Sequence, residues 1–234
     1  MDCKIIGLGI VDVKEAFTLQ KYLHSEVCLN KSSNSLILLE HFPVITLGRN
    51  ASKGNILVSE DYLKRKGINI IDIDRGGDVT MHMPGQLVAY PIFNLNECGK
   101  DVHLFVRNLE EVIIRFLGTC NIKGMRVKGL PGVWVGGKKI GFIGIGISKW
   151  ISFHGISINI DCELELFSLI NPCGIQKQQV TSVSAILGRG VSVSQAKIQL
   201  AESFEDVFCL KLGWINSDLQ KKKDNVRMEN RVNN

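Results

Sequence analysis

Between residues 132 and 160 the chain leaves little freedom of fold. Gly132–Val135, the pair Gly136-Gly137, Lys138–Ile147 and Ile151–Ile160 are three apolar runs rich in β-branched residues. A two-glycine step supplies the positive φ angles of a tight hairpin turn. Strands arranged in succession demand an antiparallel sheet, and a sheet needs a cover for its apolar face. Helices are expected at three places. Asp12 with Glu15 resembles a capping box, followed by Ala16, Leu19, Leu23 and Val27 at helical spacing. Asp101 opens a helix with the face Leu104, Phe105, Leu109, Val112, Ile113, Phe116 and Leu117, and a last helix is expected over Ser194–Leu212, stopped by Gly213. A short helix fits Glu60–Lys66, capped by Ser59 and ended by Gly67.

Further strands are expected over Ile5–Val13, Ser35–Glu40, Val44–Gly48, Ile68–Asp74 and Gln86–Ile92, with a Gly-rich loop from Arg75 to Gly85. The pattern predicts an α+β (mixed α/β) fold, a mixed sheet flanked by helices. A single domain over residues 1–215 is the simplest division. Asn216 to Asn234 lacks apolar content and is expected to be a disordered polar tail.

Composition removes several functions. Apolar residues at 45% and charged residues at 22% suit a globular enzyme, and no apolar run approaches the roughly 18 residues of a membrane span. The first strand lacks the basic lead of a signal peptide, so a cytoplasmic location is expected. Net charge is +5, without aromatic residues interleaved among the basic ones; this is too weak to demand nucleic acid and would suit an acidic protein, and charge alone does not choose between them. Seven cysteines, odd in number and without a C-x-x-C pair, argue against disulfides and structural zinc. The histidines show no metal-ligand spacing, so neither metal nor cofactor is expected.

Four segments could carry chemistry. Arg75-Gly76-Gly77-Asp78-Val79-Thr80-Met81-His82-Met83-Pro84-Gly85-Gln86 pairs adjacent glycines with polar side chains. On spacing alone it reads first as a polar loop closed by a Pro-Gly turn, and second as a ligand cradle. Lys138-Lys139-Ile140-Gly141-Phe142-Ile143-Gly144-Ile145-Gly146 puts three glycines in a strand. They either clear a slot for a flexible acyl chain or mark a bulged strand. Burying six or seven methylenes at ~0.8 kcal/mol each would hold such a chain by about 5 kcal/mol. Phe153-His154-Gly155-Ile156-Ser157 lies on the next strand, where His154 reads first as a structural, hydrogen-bonded residue. Asn171-Pro172-Cys173-Gly174 places a cysteine on a loop, where it is either a small loop residue or a presented thiol.

Together these segments resemble the lipoyl(octanoyl) transferase family, the octanoyl-[acyl carrier protein]:protein N-octanoyltransferases. The likeness rests on Arg75-Gly-Gly with Thr80 and His82, Pro84-Gly85-Gln86-Leu87-Val88 with Tyr90-Pro91-Ile92, Gly132-Val133-Trp134-Val135, Lys139-Ile140, Phe153-His154-Gly155, Asn159, Pro172-Cys173-Gly174 and Thr181-Ser182. It implies a catalytic domain like that of biotin and lipoate protein ligases, and a Cys173/Lys139 dyad that carries an acyl group on Cys173. The implied acyl-binding residues are Arg75, Gly76, Gly77, Asp78, Val79, Thr80, Met81 and His82, then Phe142, Ile143 and Gly144, then Gly155, Ile156 and Ser157. The implied donor is octanoyl-acyl carrier protein. The implied acceptors are lipoyl domains of 2-oxoacid dehydrogenase complexes or the glycine cleavage H protein.

In a regular strand Lys138 and Lys139 point to opposite faces, so only one reaches the site. Backbone N–H groups near Gly76, Gly77 or Cys173 are candidates for an oxyanion hole. Lys64–Lys66 and the cluster Lys123, Arg126 and Lys128 are candidates for steering acidic partners. Met83 stands where relatives usually have glycine, and a side chain there would narrow the pocket, change the acyl-length preference or force a different backbone conformation. Two rivals are an ATP-dependent ligase, echoed by Thr46-Leu47-Gly48-Arg49-Asn50, and a non-catalytic binder of acylated or lipoylated partners.

Overall fold

Asp12, Ser59, Asp101, Ser182 and Ser192 each accept a hydrogen bond from a backbone N–H one to three residues into a helix, and so set where the helices begin. The structure, a computed structural model, describes residues 1–171 and 180–215. The chain order is β1 (Asp2–Val11), α1 (Val13–Cys28), β2 (Asn34–His41), β3 (Val44–Leu47), α2 (Glu60–Arg65), β4 (Asn69–Asp72), β5 (Val79–His82) and β6 (Gln86–Ile92). There follow α3 (Val102–Thr119), β7 (Met125–Val127), β8 (Leu130–Val135), β9 (Lys138–Ser148), β10 (Ile151–Asn159), α4 (Val183–Leu187), α5 (Val193–Phe208) and β11 (Lys211–Trp214).

Eight strands form one sheet in the order β11-β1-β2-β6-β10-β9-β8-β7. The pairs β11–β1 and β1–β2 are parallel and the rest antiparallel. A second sheet, β4-β3-β5, lies apart from it. Alternation along the strands sorts the large sheet into two faces. Leu36, Leu38, Leu87, Ala89, Ile156 and Ile158 pack with α3 and α5 around Phe93, Phe105, Phe116 and Phe204. Ile37, Leu39, Val88, Tyr90 and Ile92 pack on the other side with Ala16, Leu23 and Val27 of α1. A third cluster joins the small sheet and α2 to Phe142, Phe167 and Leu169. The mixed sheet flanked by helices is the α+β architecture expected.

Four expectations need correction. The Gly-rich loop over 75–85 contains β5, antiparallel to β3, because Val79 and Met81 face the core between Gly77 and Pro84. The last helix ends at Phe208, not Leu212: Cys209 adopts φ 51° as its left-handed cap, and 211–214 pair with β1 as β11. Leu104, expected on the buried face of α3, is 46% exposed. The strand expected over Ile68–Asp74 is four residues long. The Gly136-Gly137 turn stands, with φ 56° and 79°. The expected tail from Asn216 to Asn234 lies outside the described residues.

Candidate active site

A cleft opens where the large sheet meets the small one, enclosing about 530 Å³ of empty space, its mouth included. Its walls come from three of the four segments: Arg75, Gly77, Asp78, Val79, Thr80 and His82; Lys139, Phe142, Ile143 and Gly144; and His154, Gly155, Ile156 and Ser157. Ile73, Val88 and Tyr90, absent from the implied acyl-binding residues, complete it. Gly76 and Met81 stand outside the lining: Met81 is in the core of the small sheet, and the Gly76 N–H donates to Ile145 O at 2.8 Å. That bond uses the Gly76 donor and removes it from the oxyanion-hole candidates. Met83 is 1% exposed, in the same core as Met81, and does not line the cleft. Its expected narrowing of the pocket is therefore corrected.

Arg75 is buried and holds the loop down. Its Nη2 donates to Thr46 O at 2.8 Å and to Thr46 Oγ1 at 3.0 Å, and Nη1 donates to Gly76 O at 3.0 Å. Gly144 faces this side chain; a Cβ there would stand 2.9 Å from Arg75 Cδ. Gly141 instead faces Ile113 of α3, and Gly146 faces the Phe153 ring. The Cβ space at the three glycines of β9 is taken by the protein's own groups, the strand is bulged as one of the two readings expected, and Gly144 also borders the cleft.

The bulge lies between Lys139 and Gly141. Trp134 pairs with Lys139 while Val133 pairs with Gly141, so Ile140 is extra on β9. An extra residue reverses the alternation beyond it. Lys139 and Phe142, three positions apart, would otherwise face opposite sides; here both line the cleft. The Lys139 Nζ lies 4.8 Å from the Trp134 ring centre and 5.1 Å from that of Phe142. Phe142 in turn stacks on Phe167 at 5.4 Å. Of the two lysines, Lys138 is exposed and Lys139 buried, as alternation requires at that end of the strand.

Three histidines surround the inner wall, each held below the ordinary histidine pKa chiefly by burial. For His82 the value falls to about 3. Hydrogen bonds assign their protons. His41 Nδ1 donates to Val11 O at 2.8 Å, leaving Nε2 to accept from the Tyr90 hydroxyl at 2.7 Å. Gln86 donates through Nε2 to Asn159 Oδ1 and to Met81 O, so its Oε1 accepts from His82 Nδ1 at 2.7 Å. His154 Nε2 donates to Asp74 Oδ1 at 2.9 Å; burial outweighs that carboxylate, so the contact is a hydrogen bond of a neutral ring. His154, with φ 55° and stacked on Phe17, is structural as expected, and it also borders the cleft.

Cys173 lies outside the described residues. Its described flanks are tied to the cleft, one of them through Asn55, whose Nδ2 donates to the cleft residue Asp78. Asn171 N donates to Asn55 O at 2.7 Å on one side. On the other, Val180 bridges Lys139, Thr181 N donates to Lys139 O at 2.9 Å, and Asn159 Nδ2 donates to Thr181 O at 3.0 Å. Within the basic cluster, Arg126 is bound to Glu110 and Glu111, which makes it a structural residue and removes it from the steering candidates. Among the described residues, no group of three or more His, Cys, Asp or Glu could hold a metal ion.

Comparison with known proteins identifies the family. Residues 12–205 match the lipoyl protein ligase A/B catalytic domain. A curated relative from Caldicellulosiruptor saccharolyticus, named octanoyltransferase, is 40% identical over 231 residues, covering 98% of both chains. The chain belongs to the octanoyltransferases of the lipoyl protein ligase A/B family. A second octanoyltransferase, from Caldanaerobacter subterraneus subsp. tengcongensis, is 43% identical over 209 residues, 89% of this chain and 91% of that one. Among solved structures, the bipartite lipoate protein ligase of Thermoplasma acidophilum superposes with a TM-score of 0.70 at 15% identity, covering 97% of this chain and 92% of that one. At that identity the likeness establishes the fold shared by this octanoyltransferase family member and the ligase. No helix among the described residues is long and apolar enough to cross a membrane.

Proposed function

We propose that this chain moves an octanoyl group from octanoyl-acyl carrier protein to the lysine of a lipoyl domain, through a thioester on Cys173. The observation that carries the reading is the placement of Lys139. Its buried amine stands against two aromatic faces in a largely apolar cleft built from the segments implied to bind the acyl chain. The relatives' name, octanoyltransferase, supports the acyl group.

The donor is a thioester, so exchange onto a cysteine replaces one thioester by another at little free-energy cost. In the first half-reaction the Cys173 thiolate attacks the acyl carbonyl, and the bond from carbonyl carbon to carrier sulfur breaks. The departing thiolate takes a proton from the Lys139 ammonium. In the second, the acceptor's lysine amine attacks the acyl-Cys173 carbonyl and yields its proton to the now neutral Lys139. The amide forms, the carbon–sulfur bond to Cys173 breaks, and thiolate and ammonium are both restored. Ring faces attract a cation, so Trp134 and Phe142 favour the charged amine at the start of each cycle.

The relatives' name points to an eight-carbon acyl group, which the apolar residues Val79, Val88, Phe142, Ile143 and Ile156 would border. Lipoyl domains of 2-oxoacid dehydrogenase complexes or the glycine cleavage H protein are the proposed acceptors. The site is proposed to work in the cytoplasm as part of a domain spanning residues 1–215.

The test is transfer from octanoyl-acyl carrier protein to a lipoyl domain without ATP, read as an amide on the acceptor lysine. Transfer by the native chain and its loss in Cys173→Ser are expected. Full transfer by Cys173→Ser would remove the thioester route, and a strict need for ATP would replace it with ligase chemistry.

A further inference from the structure

The bulge that carries Lys139 into the cleft is gripped from outside the cleft. Gly132 on β8 lies beside it with φ 127°, a conformation that side chains rarely adopt. A Cβ on Gly132 would stand 2.5 Å from Gly141 O, 2.8 Å from Lys139 Cε and 3.4 Å from Lys139 Nζ. The space that a side chain at 132 would take is the space the lysine uses.

The Gly132 N–H is directed away, 3.2 Å to Glu110 Oε1. Glu110 belongs to α3 on the opposite face of the sheet and is 3% exposed. Its other oxygen accepts from Arg107 Nη1 at 2.9 Å and from Arg126 Nε at 3.0 Å. Arg126, on β7, is held further by Glu111 Oε2 at 2.7 Å and Arg107 O at 3.2 Å. One buried carboxylate therefore ties both outer strands to α3 at the point where the bulge forms.

Resting on the dyad reading above, we infer that Glu110 and Gly132 are positioning residues for the Lys139 amine. They hold the Lys139 end of the bulge, and they keep the space that the lysine uses clear of other side chains. Neither lines the cleft, so their loss moves the proton-transferring group without altering the acyl-binding walls.

The experiment measures kcat and KM for octanoyl-acyl carrier protein in the full chain, with Gly132→Ala, Glu110→Ala, Glu110→Gln, Gly129→Ala and Lys139→Ala. Gly129 has a similar positive φ, 81°, with nothing within 4 Å of an added Cβ, and it controls for backbone strain. A misplaced catalytic group costs on the order of 100-fold. The expected result is a fall of that size in kcat for Gly132→Ala and Glu110→Ala with KM unchanged, the pattern of an interaction made in the transition state. Glu110→Gln keeps an acceptor for the Gly132 N–H but none for Arg107 and Arg126, and recovers part of the loss. If Gly132→Ala does not fold, the Glu110 pair decides alone.

Wild-type kcat in Gly132→Ala and Glu110→Ala, with Lys139→Ala inactive, overturns the inference and leaves the dyad standing. An equal loss in Gly129→Ala, or no recovery by Glu110→Gln, assigns the effect to strain or to general packing and overturns it too. Activity retained in Lys139→Ala removes the dyad reading itself.

Discussion

Replacing Asn159 with alanine should loosen the cleft from beneath. The side chain is fully buried, accepting from Gln86 Nε2 at 2.9 Å and donating to Thr181 O at 3.0 Å. Truncation strands one N–H of Gln86 and one carbonyl. Each buried orphan costs about 1–3 kcal/mol, so the sum is about 2–6 kcal/mol if no water enters. Asn159→Asp separates the two bonds. It retains an acceptor for Gln86 but sets a carboxylate oxygen against Thr181 O. Burial favours the protonated acid, which can donate again, so the aspartate variant should regain stability as pH falls while the alanine variant does not. The assay is urea unfolding at several pH values. Because Thr181 N donates to Lys139 O, transfer should slow in both variants at neutral pH. A loss below about 0.5 kcal/mol for Asn159→Ala, the size of an ordinary surface change, would refute the reasoning.

Two further outcomes follow from the cleft. Phe142→Ala removes the ring stacked on Phe167 and leaves a cavity, so unfolding free energy should drop by about 3–5 kcal/mol; urea melts check it, and a drop under about 1 kcal/mol would mean the site collapses freely. His82 is neutral when folded, with its pKa lowered to about 3, against 6.5 as the reference value. Between those values the unfolded chain binds the extra proton, so stability is full above about pH 6.5 and declines as pH falls towards 3, by up to ~1.4 kcal/mol per pH unit for this one group. His82→Gln should flatten that slope by about one proton; an unchanged slope between pH 6 and 4 would show that His82 does not contribute to it.

Local rules of the chain made part of this legible. The helix caps at Asp12, Ser59 and Asp101 and the Gly136-Gly137 turn depend on neighbours in sequence, and all are present. β2 and β6 were legible as strands because each is a short apolar run, buried on both faces. The bulge at Ile140 was open as one of two readings, but its consequence was not. The reversal that aligns Lys139 with Phe142 depends on register against β8, which no local window contains. Glu110 escaped for a similar reason: its partners Arg126 and Gly132 are 16 and 22 positions away. Met83 looked like a pocket residue because it stands where relatives usually have glycine, yet its side chain is buried in the core that holds Met81. β11 was hidden because Leu210 and Leu212 continue the apolar spacing of α5, and only pairing with β1 shows where the helix gives way. Tyr90 and Val88 were read as a strand; that their side chains form the cleft wall required knowing what covers that face.

The most direct test of the account is intact-protein mass spectrometry of the chain mixed with octanoyl-acyl carrier protein in the absence of ATP. The account predicts one octanoyl adduct, mapped to Cys173 and discharged when a lipoyl domain is added. A folded chain that gains no adduct, or one whose adduct lies on another residue and resists discharge, would contradict it.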